Sequence, residues 1–510
     1  MAIELSNLTF TEQDDIVPLS GVEPILNTGV ANTLAGNDII TGDVTISKNT
    51  NGVYNSGTLN TDDGNDIITG IGSLYDNENR YPPAAIGIYN TRGTIGTGNG
   101  NDIITGIGMV QGIQSLSGTI NTGDDNDTIT GAATISADRG GGVGIWMADS
   151  TLDTGKGNDV IRGTAVDGEF GTGIFNGSTF TTDDGNDIII GDSTRGGTGI
   201  ANSGLMDTGN GNDSITGTDT TTLRDFSGYG RGISNSGTIN MGDGADNIFG
   251  NGGVYARGGI SNSGTINMGD GADNIFGNGI DIFPAIFNSG SIDTGNGPDN
   301  IFGNGGDYSI FNSGSIDTGN GPDNIRSLGL LYNTGNVFLE EGNDSLVSQS
   351  SDGIKNYNFI GTGDGNDIIT SNGVIYNQGV IETGNGDDII TSNIIYGIYN
   401  NGGAINMGDG NDSIIADAGF SSGPNSSGSV FLGDGQDYIK GDGSGDFYGG
   451  NGNDILELTP GSYTVGRWGA TVTLSKGSSL MLASEFEQLI AGGTSYNFTS
   501  LTEGQIIIVA

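Results

Sequence analysis

Seventeen aspartates recur in one local setting, a glycine- and asparagine-rich turn that leads into aliphatic residues, as in Thr97-Gly98-Asn99-Gly100-Asn101-Asp102-Ile103-Ile104. They are Asp38, Asp66, Asp102, Asp127, Asp159, Asp187, Asp213, Asp246, Asp273, Asp299, Asp323, Asp344, Asp367, Asp388, Asp412, Asp437 and Asp454, and their intervals are unequal. If the copies stack, these carboxylates lie one above another. Two such charges about 4.8 Å apart repel by roughly 3–4 kcal/mol at an effective dielectric of about 20. A hard divalent cation relieves that repulsion at neutral pH, and calcium takes six to eight oxygens from carboxylates and carbonyls. The chain has no histidine and no cysteine. That makes zinc, copper and iron–sulfur centres poor candidates and removes cysteine nucleophiles and Ser-His-Asp triads. The metal-free alternative is that Asp and Asn simply stabilise tight turns.

The elements that must position the turn are legible from a second feature locked to it. An Asn followed two residues later by Gly precedes the Asp at one fixed spacing, as Asn27 precedes Asp38. The others at that spacing are Asn55, Asn202, Asn235, Asn262, Asn288, Asn312, Asn333 and Asn377. Asn176 and Asn356 keep the spacing without the Gly, and Asn90 and Asn400 stand one position farther from their Asp. The return from Asp to the next Asn is variable, from the short link Asp323 to Asn333 to the long one Asp66 to Asn90. A fixed segment joined to a variable one is the mark of a solenoid coil with surface insertions. Aliphatics hold the same frame: two before the Asn (Ile233, Ile260, Ile286), four after it (Ile239, Ile266, Ile292) and two after the Asp (Ile248, Ile275, Ile301). β-Branched residues in short runs between Gly, Asn and Asp predict strands of three to five residues, three per coil. The expected fold is all-β, a right-handed parallel β-solenoid (β-helix or β-roll) of about 17 coils with terminal caps.

Composition agrees. Glycine supplies 99 of 510 residues, apolar residues are 33%, and the formal charge is −46. So acidic a surface repels phosphate backbones and argues against a nucleic-acid partner. No run of apolar residues is long enough to span a membrane. The stretch from Met1 to Ser20 has neither the basic start nor the apolar run of a cleaved signal peptide.

Gly449-Gly450-Asn451-Gly452-Asn453-Asp454-Ile455-Leu456-Glu457 matches the glycine-rich nonapeptide of RTX, or haemolysin-type, calcium-binding proteins throughout. Leu432-Gly433-Asp434-Gly435-Gln436-Asp437-Tyr438-Ile439 and Gly441-Asp442-Gly443-Ser444-Gly445-Asp446-Phe447-Tyr448 resemble it upstream. Elsewhere single copies sit inside longer coils, which resembles cyanobacterial-type RTX relatives. There Thr97, Met241 and Thr383 replace the first glycine, and Asp125 replaces the central one. The resemblance implies calcium at the sixth position, Asp437 and Asp454, with Asp446, Asp434 and Asp442 in the same turns. It also implies export by type I secretion machinery and an extracellular, cell-surface location.

These readings divide the chain into an N-terminal cap strand (1–24), a long-coil solenoid (25–431), near-tandem nonapeptides (432–457) and a C-terminal cap with the secretion signal (458–510). Residues 462–465, 470–474 and 505–510 read as strands, and 481–490 as a short helix. The residue before each Asn should face outward, which puts Phe287, Phe311, Tyr332, Tyr376 and Tyr399 in a stripe interrupted by Lys355. That stripe would stiffen the stack or bind a surface polysaccharide. Other copies of the chain are further candidate partners. The function expected is a calcium-stiffened structural or adhesive protein and not an enzyme. The enzyme alternative, a β-helix lyase, epimerase or hydrolase of acidic polysaccharides, would draw on Arg224, Arg231 and Arg257 and on the insertion at 74–83.

Overall fold

An Ile flanked by small polar residues buries one side chain per strand and leaves the other face wet, and here that pattern repeats three times per coil. In the coil of Ile260, the strands are Ile260–Asn262, Thr265–Asn267 and Asn274–Asn278. Ile260, Ile266 and Ile275 are buried. The computed structural model describes residues 2–18, 23–44, 50–73, 85–134, 141–166, 170–194, 196–220, 230–253, 257–280, 283–392, 397–423 and 427–510. Arg224 and the 74–83 insertion fall outside these. The fold is a parallel β-solenoid, and it divides into two compact units, Met1–Phe287 and Asn288–Ala510.

In the first unit, equivalent strands of successive coils pair in parallel and in register. Ile233 faces Ile260, Ile239 faces Ile266, and Ile248 faces Ile275. The first and second strands of each coil belong to one sheet and the third to another, so three aliphatic columns meet inside. Each fully buried Ile contributes roughly 1.5–3 kcal/mol. The N-terminal segment joins the stack: Ile3 pairs with Ile25, Ile16 with Ile39, and Leu5 is buried. The second unit repeats the plan, with Leu331 on Ile354, Val337 on Ile360 and Leu346 on Ile369.

The Asn of each Asn-x-Gly bend points inward. Asn312 Nδ2 donates to Asn333 Oδ1 (2.9 Å), Asn333 Nδ2 to Asn356 Oδ1 (3.0 Å), and Asn356 Nδ2 to Asn377 Oδ1 (2.9 Å). In the first unit the same column runs Asn27, Asn55, Asn90 and then Asn176, Asn202, Asn235, Asn262. Between these stretches stand Ser115 and Met147, whose coils lack the sequence signature. Register is carried there by Ile88, Ile113, Ile145 and Ile174. In most coils glycine fits this bend closely: a Cβ on Gly264 would lie 2.0 Å from the carbonyl oxygen of Gly237, whereas Ser178 and Asn358 hold the position in the coils of Asn176 and Asn356.

The C-terminal cap continues the stack and then reverses it. Gly445–Gly452 pairs in parallel with Ser479–Ser484, which pairs antiparallel with Thr471–Lys476, then Gly461–Trp468, then Ile506–Val509. Strands therefore form where 462–465, 470–474 and 505–510 were expected to have them. The helix expected over 481–490 is replaced by the strands Ser479–Ser484 and Gln488–Ala491. The last coil offers unpaired strand edges, and Met481, Ala483 and Leu489 are buried against it. Among the described residues no helix is long and apolar enough to cross a membrane.

Replacing Asn333 by Ala removes donors to Gly335 O (2.9 Å) and Phe359 O (2.8 Å) as well as to Asn356. Buried partners left unsatisfied cost about 1–3 kcal/mol each. Urea denaturation should show Asn333→Ala destabilised by about 2–4 kcal/mol, and exposed Thr334→Ala by less than about 0.5 kcal/mol.

Candidate metal centre

Each motif aspartate occupies the last position of its glycine turn, directly before the third strand. The turn needs glycine two residues earlier: a Cβ on Gly271 would lie 1.3 Å from the carbonyl oxygen of Gly244 in the preceding coil. Asp125, which replaces that glycine, adopts the left-handed backbone with φ 90°. The stacked turns thus bring backbone carbonyls of neighbouring coils into the same narrow space as the aspartates.

All seventeen motif aspartates are at most 1% exposed. In the first unit the N–H of each donates to Oδ1 of the next, from Asp38 to Asp66 and onward through Asp102, Asp127, Asp159, Asp187, Asp213 and Asp246 to Asp273, at 2.7–2.8 Å. In the second unit the ladder runs from Asp299 through Asp323, Asp344, Asp367, Asp388, Asp412 and Asp437 to Asp454, at 2.8–3.0 Å. Both outer ends are finished by other residues. The Asp15 N–H donates to Asp38 Oδ1 (2.8 Å), and Glu487 Oε2 accepts from the Asp454 N–H (2.7 Å).

The second carboxylate oxygen is different. Oδ2 of Asp66, Asp102, Asp127, Asp159, Asp187, Asp213 and Asp246 is buried without a hydrogen-bond partner. The same holds for Asp323, Asp344, Asp367, Asp388, Asp412, Asp437 and Asp454. A buried threonine five residues before the Asp explains part of this. Thr33 donates to Asp38 Oδ2, but Thr97, Thr122 and Thr294 turn their hydroxyls to the carbonyls of Thr122, Thr154 and Thr318. Met241, Leu339, Met407 and Leu432 hold the position in other coils.

Burial raises these carboxyls first, and in most coils like charge along the ladder adds to it; the backbone N–H at Oδ1 and, where present, the threonine hydroxyl oppose it. The result is about 6 for Asp102, Asp213, Asp367, Asp388 and Asp437. It is about 7 for Asp66, Asp159, Asp187, Asp323 and Asp412. It is about 8 for Asp127, Asp246 and Asp344. Asp38 and Asp454 are also raised by burial.

The remaining carboxylates predicted to bind metal lie elsewhere. Asp437 stacks on Asp454 across one 17-residue coil. Asp442 is on another part of that coil, hydrogen-bonded by the Thr459 hydroxyl and paired with Lys476 Nζ at 3.0 Å. Asp446 stands in register with Ser429, and Asp434 Oδ1 accepts from Asn451 Nδ2 at 2.6 Å on the outer surface. Among the described residues no three acidic side chains converge on one point. Any cation in the column therefore draws on consecutive aspartates and otherwise on backbone carbonyls.

Within the second unit the aromatic stripe is continuous where its sequence signature is interrupted. Phe311, Tyr332, Tyr357, Tyr376 and Tyr399 follow one another at 5.0, 5.1, 5.4 and 5.2 Å between ring centroids. Lys355 occupies the strand position between Tyr332 and Tyr376, and Tyr357, two residues on, fills the gap. The end pairs are stacked within 12° and 7° of parallel, so those ring faces are turned to each other and not outward. Burial, and then the neighbouring charge of Arg257, lower the Arg231 pKa.

Sequence reading missed Glu487, the inward threonine column and Tyr357. Of these, only the threonines left a signal, their constant offset from the Asp.

No family model matches the chain, and no curated protein matches it. Among solved structures, the chain is similar to a hyperactive, Ca2+-dependent, β-helical antifreeze protein from an Antarctic bacterium. The identity is 15% and the TM-score 0.17, with 88% of this chain and 78% of that one covered. Within this chain, the end of the ladder is open to test: Glu487→Ala should cost about 1–2 kcal/mol by orphaning the Asp454 N–H, while Glu487→Gln, which keeps an acceptor, stays within about 0.5 kcal/mol. Amide exchange at Asp454, faster in the Ala variant only, is the readout.

Proposed function

We propose that this protein is a secreted calcium-binding repeat protein with a structural or adhesive role at the cell surface, and that calcium binding completes and stiffens its fold. One observation carries the reading: among the described residues, a column of buried aspartate Oδ2 atoms has no donor of its own, the neighbouring threonine hydroxyls, where present, being engaged by carbonyls of the next coil. Such atoms cost free energy unless protonated or paired. At neutral pH and above, a cation is the natural partner for those that titrate near 6. The donors within reach are carboxylate and peptide oxygens, a set that suits calcium. Asp437 and Asp454, in the turns that resemble the RTX nonapeptide, and the ladder aspartates of the longer coils would hold it. The chain's own part is to fix each Oδ1 with a backbone N–H, so that Oδ2 is directed and the two carboxylates of a gap cannot splay apart.

A ligand that binds only the folded chain stabilises it in proportion to the logarithm of its concentration. Calcium is scarce in cytoplasm and plentiful outside the cell. The chain would therefore remain loose before export and become rigid after it, which fits export by type I machinery through a C-terminal signal.

Two measurements test the proposal. Thermal unfolding at pH 7.5 should shift to higher temperature on titrating calcium, and much less with magnesium. Unfolding that millimolar calcium leaves unmoved would refute it. In chelator, the sign of the pH dependence follows from the raised carboxyls. Their unfolded value is near 4, so the stability they give is complete below about 4 and is lost as pH rises to about 8. Saturating calcium should flatten or reverse that slope. Asp437→Asn should be neutral or stabilising in chelator at pH 8, because it removes a buried charge but keeps an acceptor for the Asp412 N–H. In calcium the same variant should be less stable than the parent.

A further inference from the structure

The C-terminal cap ends in an unprotected strand. Ile506–Val509 pairs antiparallel with Gly461–Trp468, its only registered partner among the described residues. Val465 N donates to Gln505 O (2.8 Å) and Val465 O accepts from Gly504 N (2.8 Å), a bulge just before the strand, and the bonded pairs within the strand are Tyr463 with Ile507 and Gly461 with Val509. In an antiparallel pair the intervening residues direct their N–H and C=O the other way. The backbone groups of Ile506 and Ile508 therefore face outward along the free edge. Their side chains are 65% and 75% exposed, while Ile507 and Val509 are buried. The strand is short but carries neither charge nor proline to blunt its edge: Gln505-Ile506-Ile507-Ile508-Val509-Ala510 has no Lys, no Pro and no acid. The other sheet, by contrast, finishes on the polar strand Thr494–Asn497.

Charge identifies the occupant. Residues 458–510 carry Arg467, Lys476, Glu485, Glu487 and Glu503, a net of 2 − 3 = −1, whereas residues 1–457 carry 13 − 58 = −45. Two copies of so acidic a chain repel one another over most of their length, and the cap is where they meet with least cost. The free edge is also self-complementary. About a two-fold axis at Ile507, the N–H and C=O of Ile506 meet those of Ile508 in the second copy, and the reverse pair forms symmetrically. Four hydrogen bonds result, and four exposed Ile side chains come together on one face.

We propose that the edge strand Ile506–Val509 is a dimerisation site for a second copy of this chain, joined cap to cap through an antiparallel strand pair. Dimerisation strengthens with ionic strength, because salt screens the repulsion between the acidic bodies and leaves the strand pairing intact. The competing occupant, another strand of the same chain, would leave the protein monomeric.

Sedimentation velocity on the full chain, in low and high salt and with calcium or chelator, tests this. The parent should show a concentration-dependent monomer–dimer equilibrium that is tighter in high salt. Ile506→Lys/Ile508→Lys should raise the dissociation constant at least about tenfold with unchanged thermal unfolding. Ile508→Pro, which deletes the outward N–H without adding charge, should do the same. Trp468, 77% exposed on the same face but away from the edge, serves as the control; Trp468→Lys should move the constant by less than about threefold. A parent that stays monomeric throughout, or a dimer that survives both edge variants, overturns the proposal. Should the lysine variant fail to fold, the proline variant decides alone.

Discussion

One interaction sets the register of the motif turns: the backbone N–H of each buried aspartate donating to Oδ1 of the next. Within each unit it links the aspartates of successive coils, far apart in sequence, with the same short geometry each time. A slip of one residue would move every Ile from the interior to the surface. It would also leave a charged group buried with no donor, a penalty larger than that of any single misplaced methyl group. The aspartate column thus makes the correct stacking strongly preferred, at the cost of carrying raised carboxyls through the interior.

The asparagine column performs the matching task at the other end of the fixed segment. Asn333 is satisfied by two carbonyls and the next Asn, and the pattern repeats in its neighbours. The segment between these two polar columns has its course determined at both ends, and its length hardly varies from coil to coil. In the second unit the return has a buried column of its own, Ser327, Ser348, Ser371 and Ser392, whose hydroxyls donate to the carbonyls of Gly329, Gly353, Gly373 and Gly397; where a return lacks such a column, insertions cost little beyond slow growth of loop-closure entropy. A constant segment and a variable segment in one coil are therefore two consequences of the same hydrogen-bonding plan. Because each coil interacts with its immediate neighbours, stability accumulates rung by rung.

This explains what could be read from sequence and what could not. The Ile frame, the Asn-x-Gly bend and the Asp turn are periodic, and periodicity exposed the solenoid and its inward residues. Ser115 and Met147 broke the asparagine signal, yet their coils kept register through Ile113 and Ile145. Tyr357 was missed because its ring enters the stripe from two residues beyond the expected position, around Lys355. Residues 481–490 were read as a helix because Met481, Leu482, Glu485 and Glu487 have good helix propensity. The unpaired edge of the last coil overrode that preference. Glu487 gave no signal of any kind, since its role as the final acceptor depends on a cap that folds back onto Asp454.

A buried oxygen without a donor has two remedies, a proton or a cation, and they compete for the same atom. The aspartates of this chain are graded, from about 6 at Asp437 and Asp388 to about 8 at Asp344 and Asp246. At neutral pH the lower group is mostly ionised and demands a counter-charge, while the upper group still holds much of its proton. Two of the three highest, Asp246 and Asp344, follow Met241 and Leu339, where no threonine hydroxyl is present to favour the anion. Asp127 reaches the same level beside Thr122, so burial and like charge outweigh that hydroxyl. It follows that divalent cations would occupy the two classes unequally. Cation binding would displace protons most extensively where the carboxyls are highest. On the proposed function, calcium and pH would be opposing claims on one column of oxygens.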